Sequence, residues 1–170
     1  EVHLFDTSLL LFRNSGLSAE QRFMKRAFDI FISSVALVLA SPFMLLIALC
    51  IKLCDGGPVF FTQDRLTQDS KVFKLYKFRS MYVNKQPSEY CMTRENDARI
   101  TPVGKIIRNI HFDELPQLLN ILKGDMSIVG PRPQLVRDMV FMTPEQRKRH
   151  SVRQGLTGLA QINGRNAISW

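Results

Sequence analysis

Residues 30–51 read IFISSVALVLASPFMLLIALCI, a run of 22 residues without a charged side chain. A straight α-helix of that length would be ~33 Å long, enough to cross a hydrocarbon core of ~30 Å. Ser41-Pro42 lies near the centre of the run. Proline removes a backbone donor and clashes with the carbonyl four residues earlier, so the helix should kink or break there. Each half would then reach only ~14–17 Å, about half of a bilayer core.

Basic residues flank this apolar run on both sides. They are Arg13, Arg22, Lys25 and Arg26 before it, and Lys52, Arg65, Lys71, Lys74, Lys77 and Arg79 after it. Lysine and arginine are enriched in cytoplasmic flanks. Two basic flanks therefore favour a re-entrant hairpin that enters and leaves the membrane by the same face. A kinked single span and a buried core helix stay open as alternatives.

The composition limits the class of protein. A length of 170 residues suits a single domain, and 45% hydrophobic residues suit one membrane insertion rather than several spans. The net charge of +8 indicates an anionic partner, either lipid headgroups, phosphorylated substrates or nucleic acid. Nucleic-acid binding would explain the charge but not the long apolar run. The three cysteines form no C-x-x-C pair, which argues against a disulfide framework or a zinc site.

The rest of the chain predicts an α/β (α+β) fold that is rich in helix and has short strands. Ser18 and Gln21 form a capping-box pattern ahead of a basic amphipathic helix over 18–29. Strands are expected at 59–63, 71–81 and 127–129, a polar turn at 64–70, a loop at 82–99, a short amphipathic turn at 101–108 and a basic helix or turn at 144–153.

The chemical centre of the sequence is HFDELPQLLNILKGD at 111–125. Its leucines recur at helical spacing, and Pro116 is acceptable only in the first turn of such a helix, which places Asp113 and Glu114 at the helix N-terminus. Two carboxylates there can simply cap the helix. Alternatively, an ionised Asp113 can act as a nucleophile toward phosphorus while Glu114 holds Mg²⁺. The residues alone leave both interpretations open.

Two further segments carry candidate anion-binding side chains. In Gly130-Pro131-Arg132-Pro133, two prolines fix the backbone on either side of one arginine, and a rigidly presented guanidinium suits an anion. An ordinary turn with a solvated arginine is the alternative. The strand over 71–81 has a basic face that includes Lys77 and Arg79. Such a face can line a phosphate site, although a solvated edge protected by lysines is the favoured interpretation.

Several motifs occur together in order: KRAFDI at 25–30, the Ser41-Pro42 break, GGPVFF at 56–61, KLYKFRSM at 74–81, FDELPQLLNILKGDMSIVGPRP at 112–133 and VRQGLTGLAQINGR at 152–165. Over residues 22–170 the chain resembles the bacterial sugar transferases, the monotopic polyprenyl-phosphate phosphoglycosyl transferases. The resemblance implies a re-entrant membrane helix over 28–54, broken at Ser41 and Pro42, and a small catalytic domain on the cytoplasmic face of the bacterial inner membrane. It also implies transfer of a sugar 1-phosphate from a UDP-sugar to undecaprenyl phosphate, with Mg²⁺, in capsule, O-antigen, exopolysaccharide or glycoprotein glycan synthesis.

The resemblance also implies roles for individual residues. Asp113 would be the nucleophile that forms a phosphosugar ester, and Glu114 together with Asp113 would hold Mg²⁺. The nucleotide and phosphate groups would be bound by Lys77, Arg79, Arg108, Pro131, Arg132, Pro133 and Arg165. Anionic membrane lipid, a second copy of the chain and downstream glycosyltransferases are the further partners expected, with no nucleic acid among them. A membrane-anchored binding or scaffold module without catalysis is the alternative function.

The chain departs from the family pattern at two places. His111 stands at a probable helix-cap site where members usually have serine or threonine, and histidine is expected to cap more weakly. Members also continue past the segment equivalent to 166–170, so the catalytic domain is expected to be incomplete at its C-terminus. Residues 1–21 resemble the linker that precedes this domain in larger members.

Overall fold

The computed structural model describes residues 2–4, 7–9, 18–83 and 97–162. The described part is rich in helix with short strands, as the sequence predicts. In chain order, the elements are β1 (Val2–Leu4), β2 (Thr7–Leu9), α1 (Ala19–Asp55), β3 (Phe60–Leu66), β4 (Val72–Phe78), α2 (Pro102–Asn109), α3 (Gln117–Lys123), β5 (Met126–Val129), α4 (Pro144–Arg147), β6 (Gln154–Thr157) and α5 (Leu159–Ile162).

Helix α1 begins and ends at well-defined caps. The backbone N–H of Gln21 donates to Ser18 Oγ at 3.2 Å, and the backbone N–H of Ser18 donates to Gln21 Oε1 at 3.0 Å, which confirms the predicted capping box. At the other end, Gly56 adopts a left-handed conformation with φ of 71° and its N–H donates to the Lys52 carbonyl. Glycine tolerates that conformation without a steric penalty, so it ends the helix cleanly.

The helix continues through Pro42, so the predicted break into two separate halves is wrong, whereas a kink at this position stays a prediction. Pro42 has no N–H to donate to the carbonyl four residues earlier, which is that of Val38. Ser41 Oγ donates to this same Val38 oxygen at 2.7 Å. The serine hydroxyl therefore replaces the missing backbone donor, and the helix need not separate at this point.

Helix α1 is the one helix in the described ranges that is long and apolar enough to cross a membrane, by length and composition. Only 6% of its most apolar 18-residue window is buried within the protein. A core helix would be mostly buried, so the buried-helix alternative is wrong. Large apolar side chains are exposed along its middle, including Val38, Leu39, Phe43, Leu45 and Leu46.

Both ends of α1 nevertheless contact the rest of the protein. Near its start, Asp29 is buried and accepts hydrogen bonds from Ser127 Oγ at 2.8 Å and from the Ile128 N–H at 3.1 Å. The Arg26 guanidinium donates to the carbonyls of Ile121 and Leu122 at 2.6 and 2.8 Å. These bonds add donors to carbonyls at the C-terminal end of α3, where the Ile121 carbonyl also accepts the Gly124 N–H at 3.1 Å. Polar contacts thus fix the start of α1 against α3 and β5.

Two apolar clusters form the core, and each includes residues of α1. The first packs Ala36 and Leu37 against buried residues of β4, α3 and β5: Phe73, Leu75, Leu118, Ile121 and Met126. The second joins the last turns of α1 to β4 and α2 through Ile47, Ile51, Phe78 and Ile107. The segment 111–125 connects the two clusters, because Leu115 packs on the second cluster and Leu118 belongs to the first.

The strands pair in twos. Strands β1 and β2 are antiparallel, β3 and β4 form an antiparallel hairpin, and β5 and β6 are parallel. The predicted strands over 71–81 and 127–129 are confirmed. The predicted polar turn over 64–70 is wrong for its first three residues, because Asp64 and Arg65 pair with Lys74 and Phe73 across the hairpin. Cross-strand pairing therefore extends β3 through a polar stretch that looked like a turn.

One further segment differs from its sequence interpretation, and another confirms it. Residues expected to form a short turn at 101–108 form the α-helix α2, whose Thr101 Oγ1 accepts the Gly104 N–H at 2.8 Å. In the basic segment 144–153, α4 is followed by a 3₁₀ turn, Lys148–Ser151. This confirms the predicted helix or turn, and His150 in it is buried. The loop expected at 82–99 lies mostly outside the described residues.

Candidate active site

Asp113 and Glu114 lie in a 3₁₀ turn, Phe112–Glu114, that precedes α3. Both carboxylates precede the N-terminal end of α3, but they belong to a separate turn rather than to the helix itself, because α3 begins only after Pro116. His111 starts the turn with a left-handed φ of 60°, and its side chain makes no capping hydrogen bond to it. The Leu115 N–H closes the turn on the Phe112 carbonyl at 3.2 Å. The turn, rather than a helix dipole, presents the two carboxylates.

The electrostatic surroundings of Asp113 are mixed. Burial raises the pKa of the Asp113 carboxyl above its ordinary value, and the neighbouring charge of Glu114 raises it further. The positive charges of Lys77 and Arg108 act in the opposite direction and favour the ionised form. A carboxylate that is partly desolvated, yet kept near two cations, is suited to attack a phosphorus atom whose oxygens those cations attract.

Lys77 on β4 contacts the acidic pair directly. Its ammonium donates to Glu114 Oε1 at 3.0 Å, and the two side chains are 22% and 14% exposed. The sequence favoured a solvated edge protected by lysines for this strand. In the structure, Lys77 instead contacts the turn Phe112–Glu114. The hairpin thus contributes a cation to the site.

A small cleft of about 20 Å³ adjoins Glu114. Its charged lining consists of Lys77, Glu114, Arg132 and Arg65, and Pro133, Gln117 and Gln161 are among the other lining residues. Three cations facing one carboxylate leave an excess of positive charge. A nucleoside diphosphate would supply the balancing negative charge.

Arg65 is the site residue that the sequence motifs did not identify. Its guanidinium donates to the Pro133 carbonyl at 2.9 Å and to Gln63 Oε1 at 2.7 Å. Burial lowers the pKa of Arg65 to about 10, and the nearby positive charge of Arg132 lowers it further. Two guanidinium groups held close together in this way repel each other unless an anion lies between them.

The loop around Arg132 is held by its backbone, as the flanking prolines suggested. The carbonyls of Pro131, Arg132 and Pro133 accept hydrogen bonds from the Gly155 N–H at 2.8 Å, from Arg149 Nη2 at 3.4 Å and from Arg65 respectively. Since three successive carbonyls are anchored, the Arg132 side chain is presented to the cleft from a fixed backbone.

The glycines beneath this loop allow its close approach to β6. A Cβ atom at Gly155 would lie 2.1 Å from the Gly130 nitrogen, which no side chain could tolerate without moving the backbone. Glycine at this position therefore brings the loop of Arg132 against the strand that supports it.

Of the five remaining sequence-predicted residues, four do not line the cleft and one lies outside the described part. Arg79 is buried and ion-paired with Asp55, against the backbone of Gly57, so its contacts stabilise the end of α1 rather than the cleft. Arg108 is on α2, close enough for its charge to affect Asp113. Arg165 lies outside the described residues. Ser41 and Pro42 are in the exposed middle of α1.

Asp113 and Glu114 are the candidate ligands for a magnesium ion. No group of three histidine, cysteine, aspartate or glutamate side chains lies together in the residues that the structure describes. Asp113 and Glu114 alone offer two carboxylates. This number fits Mg²⁺, which proteins commonly hold through one or two carboxylates together with substrate phosphates and water.

Comparison with known proteins assigns the chain to a family. The family described as "Bacterial sugar transferase" matches residues 20–170. The chain belongs to the bacterial sugar transferase family. This result confirms the resemblance drawn from the motifs and the predicted enzyme class, a phosphoglycosyl transferase.

Relatives of this sugar transferase fall into two length classes. It is 48% identical over 148 residues to the exopolysaccharide production protein PSS of Rhizobium leguminosarum bv. phaseoli, covering 83% of this chain and 74% of the relative. It is 44% identical over 154 residues to the UDP-glucose:undecaprenyl-phosphate glucose-1-phosphate transferase of Klebsiella pneumoniae, covering 89% of this chain but 33% of the relative. It is also 44% identical over 143 residues to the UDP-N-acetylgalactosamine-undecaprenyl-phosphate N-acetylgalactosaminephosphotransferase of Aeromonas hydrophila, covering 82% and 34%. The two longer relatives are named for different sugars.

Proposed function

We propose that this sugar transferase moves a sugar 1-phosphate from a UDP-sugar to undecaprenyl phosphate, as the first membrane step in the synthesis of a bacterial polysaccharide or glycan. The observation that carries the proposal is the joint placement of Glu114, Lys77, Arg65 and Arg132 at one cleft, with Asp113 next to Glu114 in the same turn and within reach of the charge of Lys77. Names of relatives that specify a UDP-sugar and undecaprenyl phosphate support the two substrates.

The chemistry proposed is a double displacement at one phosphorus atom. An oxygen of Asp113 attacks the β-phosphorus of the UDP-sugar, the bond from that phosphorus to the bridging oxygen breaks, and UMP leaves. A phosphate oxygen of the lipid then attacks the same phosphorus, and the bond to Asp113 breaks to restore the free carboxylate. Splitting one transfer into two displacements lets both substrates react at one carboxylate, which is the nucleophile in the first displacement and the leaving group in the second, with one set of cations.

The remaining site residues bind charge during both displacements. Arg65 and Arg132 would bind the diphosphate, and Lys77 would orient Glu114 and favour the ionised form of Asp113. Mg²⁺, held by Asp113 and Glu114, would neutralise phosphate charge and stabilise the leaving oxygen. The positive cleft is thus suited to accumulate the negative charge that phosphoryl transfer develops.

Contacts at both ends of α1 support a monotopic arrangement on the cytoplasmic face of the inner membrane. Asp29 and Ile51 are separated by about 33 Å of helix at ~1.5 Å per residue, close to the thickness of a bilayer core. Both positions contact the same small catalytic part. If α1 crossed the membrane, this polar part would lie within hydrocarbon at one of its ends, which is costly. We therefore propose that α1 bends at Pro42 within the membrane, so that it enters and leaves by the same face with Pro42 at its deepest part.

Activity measurements on the protein in lipid nanodiscs test the reaction. A screen of UDP-sugars with undecaprenyl phosphate and Mg²⁺, read by UMP release, identifies the donor. With that donor, Asp113→Asn and Glu114→Gln should abolish UMP release and leave membrane association intact. Asp64→Asn changes an exposed aspartate on β3 and serves as the matched control. Wild-type turnover in both variants would remove the mechanism.

Labelling of the two flanks tests the topology. Single cysteines at Ser18 and Thr62, both exposed, are introduced into a chain without other cysteines. A membrane-impermeant maleimide added to intact spheroplasts should label neither, and lysis should expose both. Labelling of one site before lysis would show that α1 crosses the membrane. Homodimerisation and transfer to downstream glycosyltransferases stay predictions.

A further inference from the structure

Gln63 precedes Arg65 by two residues on β3, so the two side chains lie on the same face of the strand. The Arg65 guanidinium donates to Gln63 Oε1 through Nε at 3.2 Å and through Nη2 at 2.7 Å. Its Nη1 donates to the carbonyl of Pro133 at 2.9 Å. Arg65 lines the cleft beside Glu114, whereas Gln63 does not. The guanidinium that faces the cleft is therefore fixed at two points.

Both oxygens that accept hydrogen bonds from the Arg65 side chain belong to neutral amides. Buried arginines are generally paired with a carboxylate, which offsets their charge. Asp138 is a carboxylate whose charge reaches Arg65, but in the described part of the chain it forms its ion pair with Arg137 at 3.6 Å. The bonds to described residues use three of the five N–H groups of Arg65 and leave two for a ligand. Arg65 is thus oriented without being neutralised.

We propose that Gln63 is a positioning residue for the transfer reaction. It orients the Arg65 guanidinium toward the diphosphate of the UDP-sugar and, as a neutral amide, leaves the full positive charge of Arg65 to that diphosphate. The inference rests on the proposed function, in which Arg65 binds the diphosphate, and it adds a residue that lies outside the cleft. Glutamate has the same shape as glutamine and would hold Arg65 in the same place, but it would offset the charge that attracts the phosphates. One substitution therefore separates orientation from charge.

A binding experiment tests this role without requiring turnover. In Gln63→Glu, measured in nanodiscs with Mg²⁺ fixed, the Kd for UDP should rise about tenfold, which corresponds to about 1.4 kcal/mol. The Kd for uridine, which has no phosphate, should not change. The melting temperature should not fall, because a carboxylate pairs with a guanidinium at least as well as an amide oxygen does. Gln21→Glu is the matched control, since it makes the same change at an exposed glutamine whose Oε1 also accepts a hydrogen bond, and it should leave both Kd values unchanged.

Removal of the acceptor alone provides a second variant. Gln63→Met keeps a side chain of similar length and adds no charge, so the KM for the UDP-sugar should rise about threefold while kcat changes by less than about twofold. Wild-type affinity for UDP in Gln63→Glu would overturn the inference. Equal losses for UDP and uridine, or a lower melting temperature together with weaker binding, would also overturn it, because they indicate a purely structural role. None of these results affects the proposed function, which is refuted separately if no UDP-sugar releases UMP.

Discussion

Replacement of Lys77 by methionine tests the electrostatic design of the site. The substitution keeps the length of the side chain and removes its charge. With an effective dielectric constant of about 20, Coulomb's law gives roughly 5.5 kcal/mol for unit charges at the 3.0 Å that separates Lys77 Nζ from Glu114 Oε1. Desolvation of both groups offsets much of this attraction, so about 2 kcal/mol is the expected loss. That loss corresponds to a fall of about 30-fold in kcat/KM for the UDP-sugar.

The same substitution should change the pH dependence in a defined direction. Lys77 lowers the pKa of Asp113, which burial otherwise raises. Without this cation, Asp113 should ionise at higher pH, and the acid limb of the kcat/KM profile should move upward. The assay is UMP release in nanodiscs across the acid-to-neutral range, with Mg²⁺ fixed.

A matched substitution on the same strand provides the control. Lys74 is exposed on β4, so Lys74→Met removes one charge without a contact to the acidic pair. Lys77→Arg retains the charge and should restore part of the activity. An equal fall in Lys74→Met and Lys77→Met, or an acid limb that moves downward, would refute the reasoning.

Three further predictions concern stability and positioning. Burial raises the pKa of Asp113 in the folded protein, so the free energy of unfolding should fall as pH rises from the unfolded pKa of about 3.9 to the folded pKa. In a thermal scan at neutral pH, Asp113→Asn should therefore melt at a higher temperature than wild type. Well below this pH interval the two proteins should melt at the same temperature. Gly155→Ala should lower the free energy of unfolding by about 1–3 kcal/mol and raise the KM for the UDP-sugar, because the new Cβ would clash with the Gly130 nitrogen. Gly56→Ala is the control: φ is 71° there, but no atom lies within 4 Å of the added Cβ. It should lower stability without changing that KM. Asp29→Ala should lower the free energy of unfolding by about 3 kcal/mol, since it removes two hydrogen bonds from β5 to a buried carboxylate. A change below about 1 kcal/mol in a denaturant titration would contradict the view that Asp29 holds the start of α1 against β5.

Features fixed by local sequence were predictable. Ser18 and Gln21 form the expected capping box because both partners lie within one turn of each other. Gly124 ends α3 with a left-handed φ of 98°, as its position after the last leucine indicated. The strand β4 follows from alternation between apolar and basic residues. In each case, neighbours in the chain decide the conformation.

Features that depend on distant contacts were not predictable. Arg65 lies in a polar stretch that looks like a turn, and its placement depends on Pro133, 68 residues away in the chain. The short turn that holds Asp113 depends on the left-handed backbone of His111, which no periodicity of leucines reveals. Helix α1 continues through Pro42 because of one side-chain rotamer, that of Ser41. A residue pattern carries no information on such rotamers.

The position of Asp113 relative to α1 follows from how the core is built. Leu115 and Leu118, on either side of Pro116, pack on two different apolar clusters, and α1 contributes residues to both clusters. The turn that holds Asp113 is therefore tied to α1 at two points rather than one. Motion of α1 along its axis would carry this turn with it, because moving either cluster alone would expose buried apolar side chains. In the proposed membrane arrangement, the depth of the proposed nucleophile would thus be set by the insertion of α1, which suits an enzyme whose proposed acceptor phosphate lies at the headgroup layer.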